Sequence, residues 1–567
     1  MTTASSRGPS SFWQSFTPKL VTTLREGYAL DDFRHDLIAG LTVAIVALPL
    51  SLALAIASGT TPDKGLTTAI VAGLLISAFG GSRVQIGGPT GAFVVVVFNV
   101  IVQHGYDGLL LATAMAGLIL IAAGFARLGT WVKYIPQPVV TGFTAGIAVV
   151  IFTSQIKDLL GLTMPQVPVD FFAKWAAYAR ALPTASGLSA AIAAGALVII
   201  IVLRKYAPKQ PGLLLAVLAS SVVVWLFALD VPTIGSRFGD LPRTLPTPHL
   251  PDVSWTAVKA VLPSAFTIAF LAGVESLLSA VIADGMTGRR HRSNAELVAQ
   301  GIANFASTLF GGMPATGAIA RTATNIRAGA RSPIAGMLHA VFILVFMLAL
   351  GPLIALIPLA SLAAVLVIVA WNMGEIDHFL HLMRAPMGDR AILLLTFALT
   401  VLVDLTVAIG VGVVLAALMF MHRMAEVSAI RNHVPLDASE DTGDDSPSDT
   451  AEQRLHLPRG VEVYELRGPL FFGVAEHLLD LLQRTGPTPR VYVLNLGDVP
   501  LVDATGASTL RDFIDRCKRH GIRVHIAGLG ASVAATLRDM HALPRENATL
   551  FDTLEEAIAQ AASEAQR

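Results

Sequence analysis

Gly87-Gly88-Pro89-Thr90-Gly91-Ala92 interrupts one long apolar run, and Gly311-Gly312-Met313-Pro314-Ala315-Thr316-Gly317-Ala318 interrupts another. Thr-Gly-Ala thus recurs about 225 residues apart, and Ser51-Leu52 leading to Gly59 returns at nearly the same offset as Ser276-Leu277 leading to Gly285. Pro89 and Pro314 have no amide to donate, and the neighbouring glycines carry no side chain. Each segment should therefore run into a membrane as irregular or extended chain and turn helical only near Thr90 and Gly317. Two half-helix N-termini then face each other at mid-membrane, where unpaired amides and positive dipole ends favour an anion. Ordinary spans kinked by Gly and Pro are the plainer reading of one such segment; a matched pair favours a binding site.

The rest of the chain supplies the membrane. Of 567 residues, 54% are hydrophobic and 14% charged, which is too oily for a soluble enzyme of this size. Apolar segments, each of the roughly 20 residues a spanning helix needs, follow one another from Leu37 to Met424 and give about fourteen crossings or half-crossings. About seven fall in each repeat, an odd number, so the halves insert with opposite topology. Arg127 and Lys133, then Arg204, Lys205 and Lys209, then Arg289, Arg290 and Arg292, then Arg327 and Arg331, then Arg384 and Arg390 recur in alternate loops. The positive-inside rule puts those loops, and both termini, in the cytoplasm. Residues 1–36 read as a cytosolic lead-in without a signal peptide.

Forty basic and 40 acidic residues balance overall, yet charges are sparse before Met424 and dense after it. Residues 37–424 read as the transmembrane domain, and 425–458, acidic and Ser/Asp-rich between Pro435 and Asp449, as a flexible linker. Residues 459–567 alternate short strands (Val461 to Leu466, Val491 to Leu496, Val524 to Ala527) with helices from Ala504 to Arg519 and from Ala531, an α/β domain. The lone cysteine, Cys517, excludes an intramolecular disulfide and suits a reducing cytosol.

Glu275 lies inside the apolar stretch Leu262 to Ile282, where an ionised carboxylate costs at least about 2.5 kcal/mol. Three readings stand: a proton-coupling carboxyl, a protonated structural glutamate bonded to backbone, or a sodium ligand. Arg321, one helical turn past Gly317, can add positive charge at the same site, pair with Glu275, or snorkel to the cytoplasmic surface. Gly142 and Gly146 suit close helix packing. His339 reads as a satisfied structural histidine, and Asp404 as a solvated loop residue. No metal-ligand spacing, phosphate loop or nucleophile constellation occurs in the membrane part, which argues against an enzyme and against a cofactor.

The chain resembles the sulfate permease (SulP) family, solute carrier family 26, from Phe33 to its C-terminus. The resemblance rests on Asp36-Leu37-Ile38-Ala39-Gly40-Leu41-Thr42-Val43 with Pro49 beyond it, Gly80-Gly81-Ser82-Arg83 leading to Gly88-Pro89-Thr90, Ala283-Asp284-Gly285-Met286-Thr287-Gly288, and Ala320-Arg321-Thr322. It implies seven plus seven inverted helices in core and gate domains, an elevator-like movement, usually a homodimer, and residence in the bacterial cytoplasmic membrane. It places the anion at Thr90, Gly91, Ala92, Gly317 and Ala318, with Glu275 as coupling carboxylate. Sodium-coupled bicarbonate carriers of the family have a threonine near the second half-helix and an aspartate as carboxylate; Ile319 and Glu275 stand here. That departure favours proton coupling and members that carry C4-dicarboxylates such as succinate and fumarate. Leu52 to Gly59, Val369 to Met373 and Gly468 to Phe472 strengthen the likeness to those members.

The C-terminal domain resembles a STAS domain, with Thr505 where bacterial antagonists carry a phosphorylatable serine. Asp503 is also a natural helix N-cap, which explains that sequence without phosphorylation. The expected partners are a small oxyanion such as sulfate or a dicarboxylate, the bilayer, a second copy of the chain and a cytosolic partner of the STAS domain, with no nucleic acid. Anion exchange, an uncoupled channel, sodium-coupled bicarbonate symport and a membrane-tethered signalling protein are the competing functions.

Overall fold

The computed structural model describes residues 14–130, 136–164, 167–208, 210–239, 242, 244–251, 253–403, 405–427, 429–433, 460–471 and 489–565. Lys133, Lys209, Asp404 and most of the expected linker lie outside the described residues. Two compact units, Met1–Val414 and Leu415–Arg567, divide the chain.

The first half of the membrane unit runs α1 (Lys19–Glu26), α2 (Leu30–Ala57), α3 (Pro62–Phe79), β1 (Gly87–Gly88), a 3-10 turn (Gly91–Phe93), α4 (Val94–Phe125), α5 (Gln137–Leu159), α6 (Phe171–Ala181), α7 (Gly187–Tyr206), α8 (Gly212–Leu226) and α9 (Ile234–Phe238). The second half runs α10 (Trp255–Thr287), α11 (Ser293–Leu309), β2 (Thr316–Gly317), α12 (Ile319–Arg327), α13 (Ile334–Ala355), α14 (Leu359–Met373), α15 (Ile376–Leu382), α16 (Met387–Leu402) and α17 (Leu405–Val427). Among the described residues, eight helices are long and apolar enough to cross a membrane. Gly105, at φ 72° and ψ −179°, breaks α4 into two arms. Counting those arms separately, α2 to α5, α7 and α8 give seven membrane segments, and α10 to α14, α16 and α17 give seven more.

Local chemistry sets the helix ends. In the first turn of α2, Asp32 Oδ2 accepts from Ala29 N at 3.1 Å, placing a carboxylate on the positive end of the dipole. α10 opens on Ser254, whose Oγ accepts from Ala257 N at 3.1 Å, and stops at Gly288 in the left-handed region at φ 68°. The long helices then pack across the two halves: α4 against α10 and α11, and α13 against α2 and α3. A second set joins α5 to α14 and α16, and α7 to α8 and α14. Gly142 and Gly146 do serve helix packing, because a Cβ would stand 2.6 Å from Leu393 O at the first and 2.6 Å from Thr400 Cβ at the second, both in α16.

The soluble unit holds β3 (Ala429–His433), β4 (Val461–Arg467), β5 (Val491–Asp498), α18 (Ala504–Arg519), β6 (Arg523–Ala527), α19 (Ala531–Asp539), β7 (Ala548–Phe551) and α20 (Leu554–Ala565). β4 to β7 are parallel and adjacent in that order, and β3 adds an antiparallel edge. Period-two alternation builds two cores. Tyr464, Leu466, Tyr492 and Leu494 pack with Phe513 and Cys517 of α18, while Val461, Val463, Val491 and Val493 pack with Ala557 and Ala561 of α20. Burial pushes the Cys517 thiol up to about 12, which makes it inert. The helix α17 continues to Val427 and β3 follows, so five residues expected in the linker belong to the sheet.

Candidate functional site

The two interrupted segments meet as a two-stranded antiparallel ladder, Gly87 opposite Gly317 and Gly88 opposite Thr316. Ala318 N donates to Ile86 O at 2.8 Å and lengthens it. Proline and glycine left these stretches without helical partners, and each satisfies the other's backbone inside the protein. Helix begins immediately beyond: the 3-10 turn after Thr90 leads into α4, and α12 starts after Ala318.

Thr90 Oγ1 donates to Glu275 Oε2 at 2.9 Å, so the first arm bonds directly to the carboxylate in α10. Glu275 is half-buried, whereas Thr90, Gly91, Ala92, Gly317 and Ala318 are buried. A Cβ on Gly91 would stand 2.6 Å from Met373 Sδ and 3.3 Å from Ile151 Cδ1, which places α14 and α5 against this arm. The candidate site therefore lies where the two packed helix sets meet.

Arg321 is only 2% exposed and does not snorkel. Its Nη2 donates to Pro89 O at 2.9 Å and reaches Ser51 Oγ at 3.5 Å, so its hydrogen bonds brace the opposite arm and bypass Glu275. Among the described residues Nε and Nη1 have no hydrogen-bond partner, leaving a buried cation with open donors beside Gly88. His339 is fully buried, but among the described residues neither ring nitrogen has a partner. That corrects the expectation of a satisfied histidine: His339 is buried on α13, and among the described residues no donor or acceptor reaches its ring. Thr505 is exposed in the first turn of α18, and Asp503 Oδ1 caps that helix by accepting from Gly506 N at 2.7 Å.

A polar network behind the second arm carries no proline or glycine signature and escaped the sequence reading. Gln85 Nε2 donates to Ser276 Oγ at 2.9 Å; Ser276 Oγ donates to Glu296 Oε1 at 2.9 Å. Glu296 also accepts from Gln300 Nε2 and from Gly81 N, each at 2.9 Å. Asn304, one turn further along α11, holds Ala315 through both its backbone N and its O at 2.8 Å. The available signal was the spacing of Glu296, Gln300, Asn304 and Thr308 at four-residue intervals on one face of α11.

The sulfate permease family pattern matches residues 33–396, and a STAS domain matches residues 454–557. The chain belongs to the sulfate permease family. "Putative sulfate transporter YvdB" of Bacillus subtilis is 44% identical over 89% of this chain and 93% of its own. The "Bicarbonate transporter BicA" of Picosynechococcus is 31% identical over 91% and 92%. The solved transmembrane domain of a cyanobacterial BicA superposes with a TM-score of 0.61 at 32% identity, covering 67% of this chain and 98% of that one. The murine Slc26a9 anion transporter in its inward-facing state gives 0.86 over 99% and 96%; at 18% identity it speaks for the fold alone. As a sulfate permease family member the chain is a multi-pass membrane transporter of the anion-carrying class, with a STAS domain, and not an enzyme.

Proposed function

We propose that this sulfate permease family member is a secondary active transporter that takes up a small oxyanion, sulfate or a C4-dicarboxylate, together with a proton. The observation that supports this reading best is the 2.9 Å hydrogen bond from Thr90 to Glu275. An anion held by the amides of Gly91 and Ala92, beside Ala318, would sit close to that carboxylate. If Glu275 is ionised, like-charge repulsion in a low-dielectric site opposes binding; a proton on Glu275 removes it. Anion and proton then load together and unload together, which is symport. The buried Arg321 cation adds attraction for the anion and fixes Pro89, so the first arm is held ready.

In this reading residues 37–424 form the transport domain, the helices around the arms move against α5, α7, α8, α14 and α16 in an elevator-like step, and two copies associate. Both termini lie in the cytoplasm of a bacterium, and the STAS domain, including Thr505, regulates transport; truncation before Gly460 that left regulated uptake unchanged would remove that part. A second reading, sodium-coupled bicarbonate uptake, draws on the 31% identity to BicA. Proteoliposomes separate the readings. An inward proton gradient should accelerate uptake of labelled sulfate or succinate, and Glu275→Gln should abolish that acceleration. Acceleration that persists in Glu275→Gln rejects the role of Glu275, and uptake of bicarbonate driven only by sodium supports the second reading.

A further inference from the structure

At the end of α10 away from its Ser254 cap lies a cavity of about 220 Å³. Its charged lining comes from three separate segments: Arg83, ahead of the first arm; Asp284, Arg289, Arg290 and His291, around the end of α10; and Arg331, between α12 and α13. None of these residues belongs to the candidate anion site.

Most of these charges are already engaged. Arg83 Nη2 bonds both carboxylate oxygens of Glu26 at 2.6 Å, and this bond holds the Glu26 carboxyl below its ordinary range. Arg331 Nη1 reaches Asp31 at 2.7 Å and Asp32 at 2.9 Å. Asp284 Oδ2 takes the His291 backbone N at 3.0 Å and ring Nδ1 at 2.7 Å. Even Arg292, the next cation in the run, is turned to Thr17 O and Thr22 Oγ1. Two guanidinium groups remain. Arg289 makes one hydrogen bond, 3.3 Å to Arg331 O, and Arg290 has neither a hydrogen bond nor an ion pair among the described residues.

Two guanidinium groups that, among the described residues, make no hydrogen bond or ion pair with a carboxylate, lining a cavity whose one carboxylate is bonded to His291, match a dense anion with several acceptor oxygens. Planar guanidinium forks bind phosphate bidentately, and Arg is weakly enough hydrated to do so at an interface. A single carboxylate would satisfy one fork and leave the other. We propose that this cavity binds a phosphate group, engaged by Arg289 and Arg290. Such a ligand ties together the lead-in to the first arm, the end of the helix that carries Glu275, and the chain that follows the second arm. Phosphate of this kind comes either from an anionic lipid headgroup or from a soluble polyphosphate.

The full chain, purified in detergent for pyrophosphate and in phosphatidylcholine nanodiscs with or without cardiolipin, distinguishes the sources by thermal unfolding. One or both ligands should raise the unfolding midpoint in a saturable way. Arg289→Gln/Arg290→Gln should weaken that effect by about tenfold or more, the size expected for losing charge-assisted hydrogen bonds. The single variant Arg290→Gln should show a smaller loss. Arg180→Gln/Arg384→Gln, which removes two exposed cations that do not line the cavity, and Ala318→Phe, at the candidate anion site, should keep the full effect. A response to pyrophosphate alone assigns a soluble ligand, to cardiolipin alone a lipid, and to both the phosphate itself. No stabilisation by either ligand, equal stabilisation of the double variant, or loss in Ala318→Phe overturns the proposal.

Discussion

The two arms of the membrane unit carry the same Thr-Gly-Ala, yet their threonines are wired differently. Thr90 Oγ1 donates to the side chain of Glu275, whereas Thr316 Oγ1 donates at 2.8 Å to Ala272 O, a backbone carbonyl of the same helix. One hydroxyl touches a group that can change charge and the other touches one that cannot. Sequence symmetry therefore builds the paired arms, and the Glu275 carboxylate of α10 sets them apart: in the proposed mechanism the first arm senses protonation and the second anchors the frame.

The largest effect should come from filling the glycines next to those threonines. A Cβ on Gly317 would stand 1.5 Å from Gln85 Nε2 and 2.6 Å from Gln85 Cδ, so Gly317→Ala must pull Gln85 off Ser276. Overpacking plus the lost bond costs about 2–4 kcal/mol, and uptake in proteoliposomes should fall below detection. Gly91→Ala meets the flexible tip of Met373 instead, so uptake should drop by only about tenfold or less, and less still with Met373→Ala added. Equal damage from the two glycine substitutions would erase the distinction between the arms.

Next in size is Glu296→Gln. Three donors converge on that carboxylate, and an amide leaves at least one of them facing another donor, at about 1–3 kcal/mol. The unfolding midpoint in detergent should fall by several degrees while the pH dependence of the remaining uptake is unchanged. Thr316→Val removes one buried hydrogen bond and should cost about 1 kcal/mol in the same measurement. Smallest of all is the response of the soluble unit. Cys517, buried in its own core, should resist maleimide at pH 8 equally in all these variants; faster labelling in Gly317→Ala would mean that the arms and the α/β domain unfold together.

Much of this was legible along the chain. Pro89, Pro314 and their glycines mark the arms because they deny a helix its bonds, and Glu275 stands out because a carboxylate in an apolar run is costly. The α/β domain declared itself by alternation: odd-numbered residues of β4 and β5 face one core and even-numbered ones the other. What stayed hidden depends on contacts between distant segments. Gln85 reaches Ser276 across 191 positions, and nothing local to Met373 says that it lies against Gly91. Arg321 illustrates the same limit. Its place one turn past Gly317 is plain from spacing, but that it braces Pro89 through a 2.9 Å bond follows only from how the two halves interlock.

The central claim is that protonation is read through Thr90 and Glu275. Uptake of labelled substrate under an inward proton gradient, compared between Thr90→Val and Thr316→Val, tests it most directly. Thr90→Val should shift the pH at which uptake is half-maximal, because Glu275 loses its hydrogen-bond donor, and Thr316→Val should leave that pH unchanged. Identical pH profiles for the two variants would contradict the account.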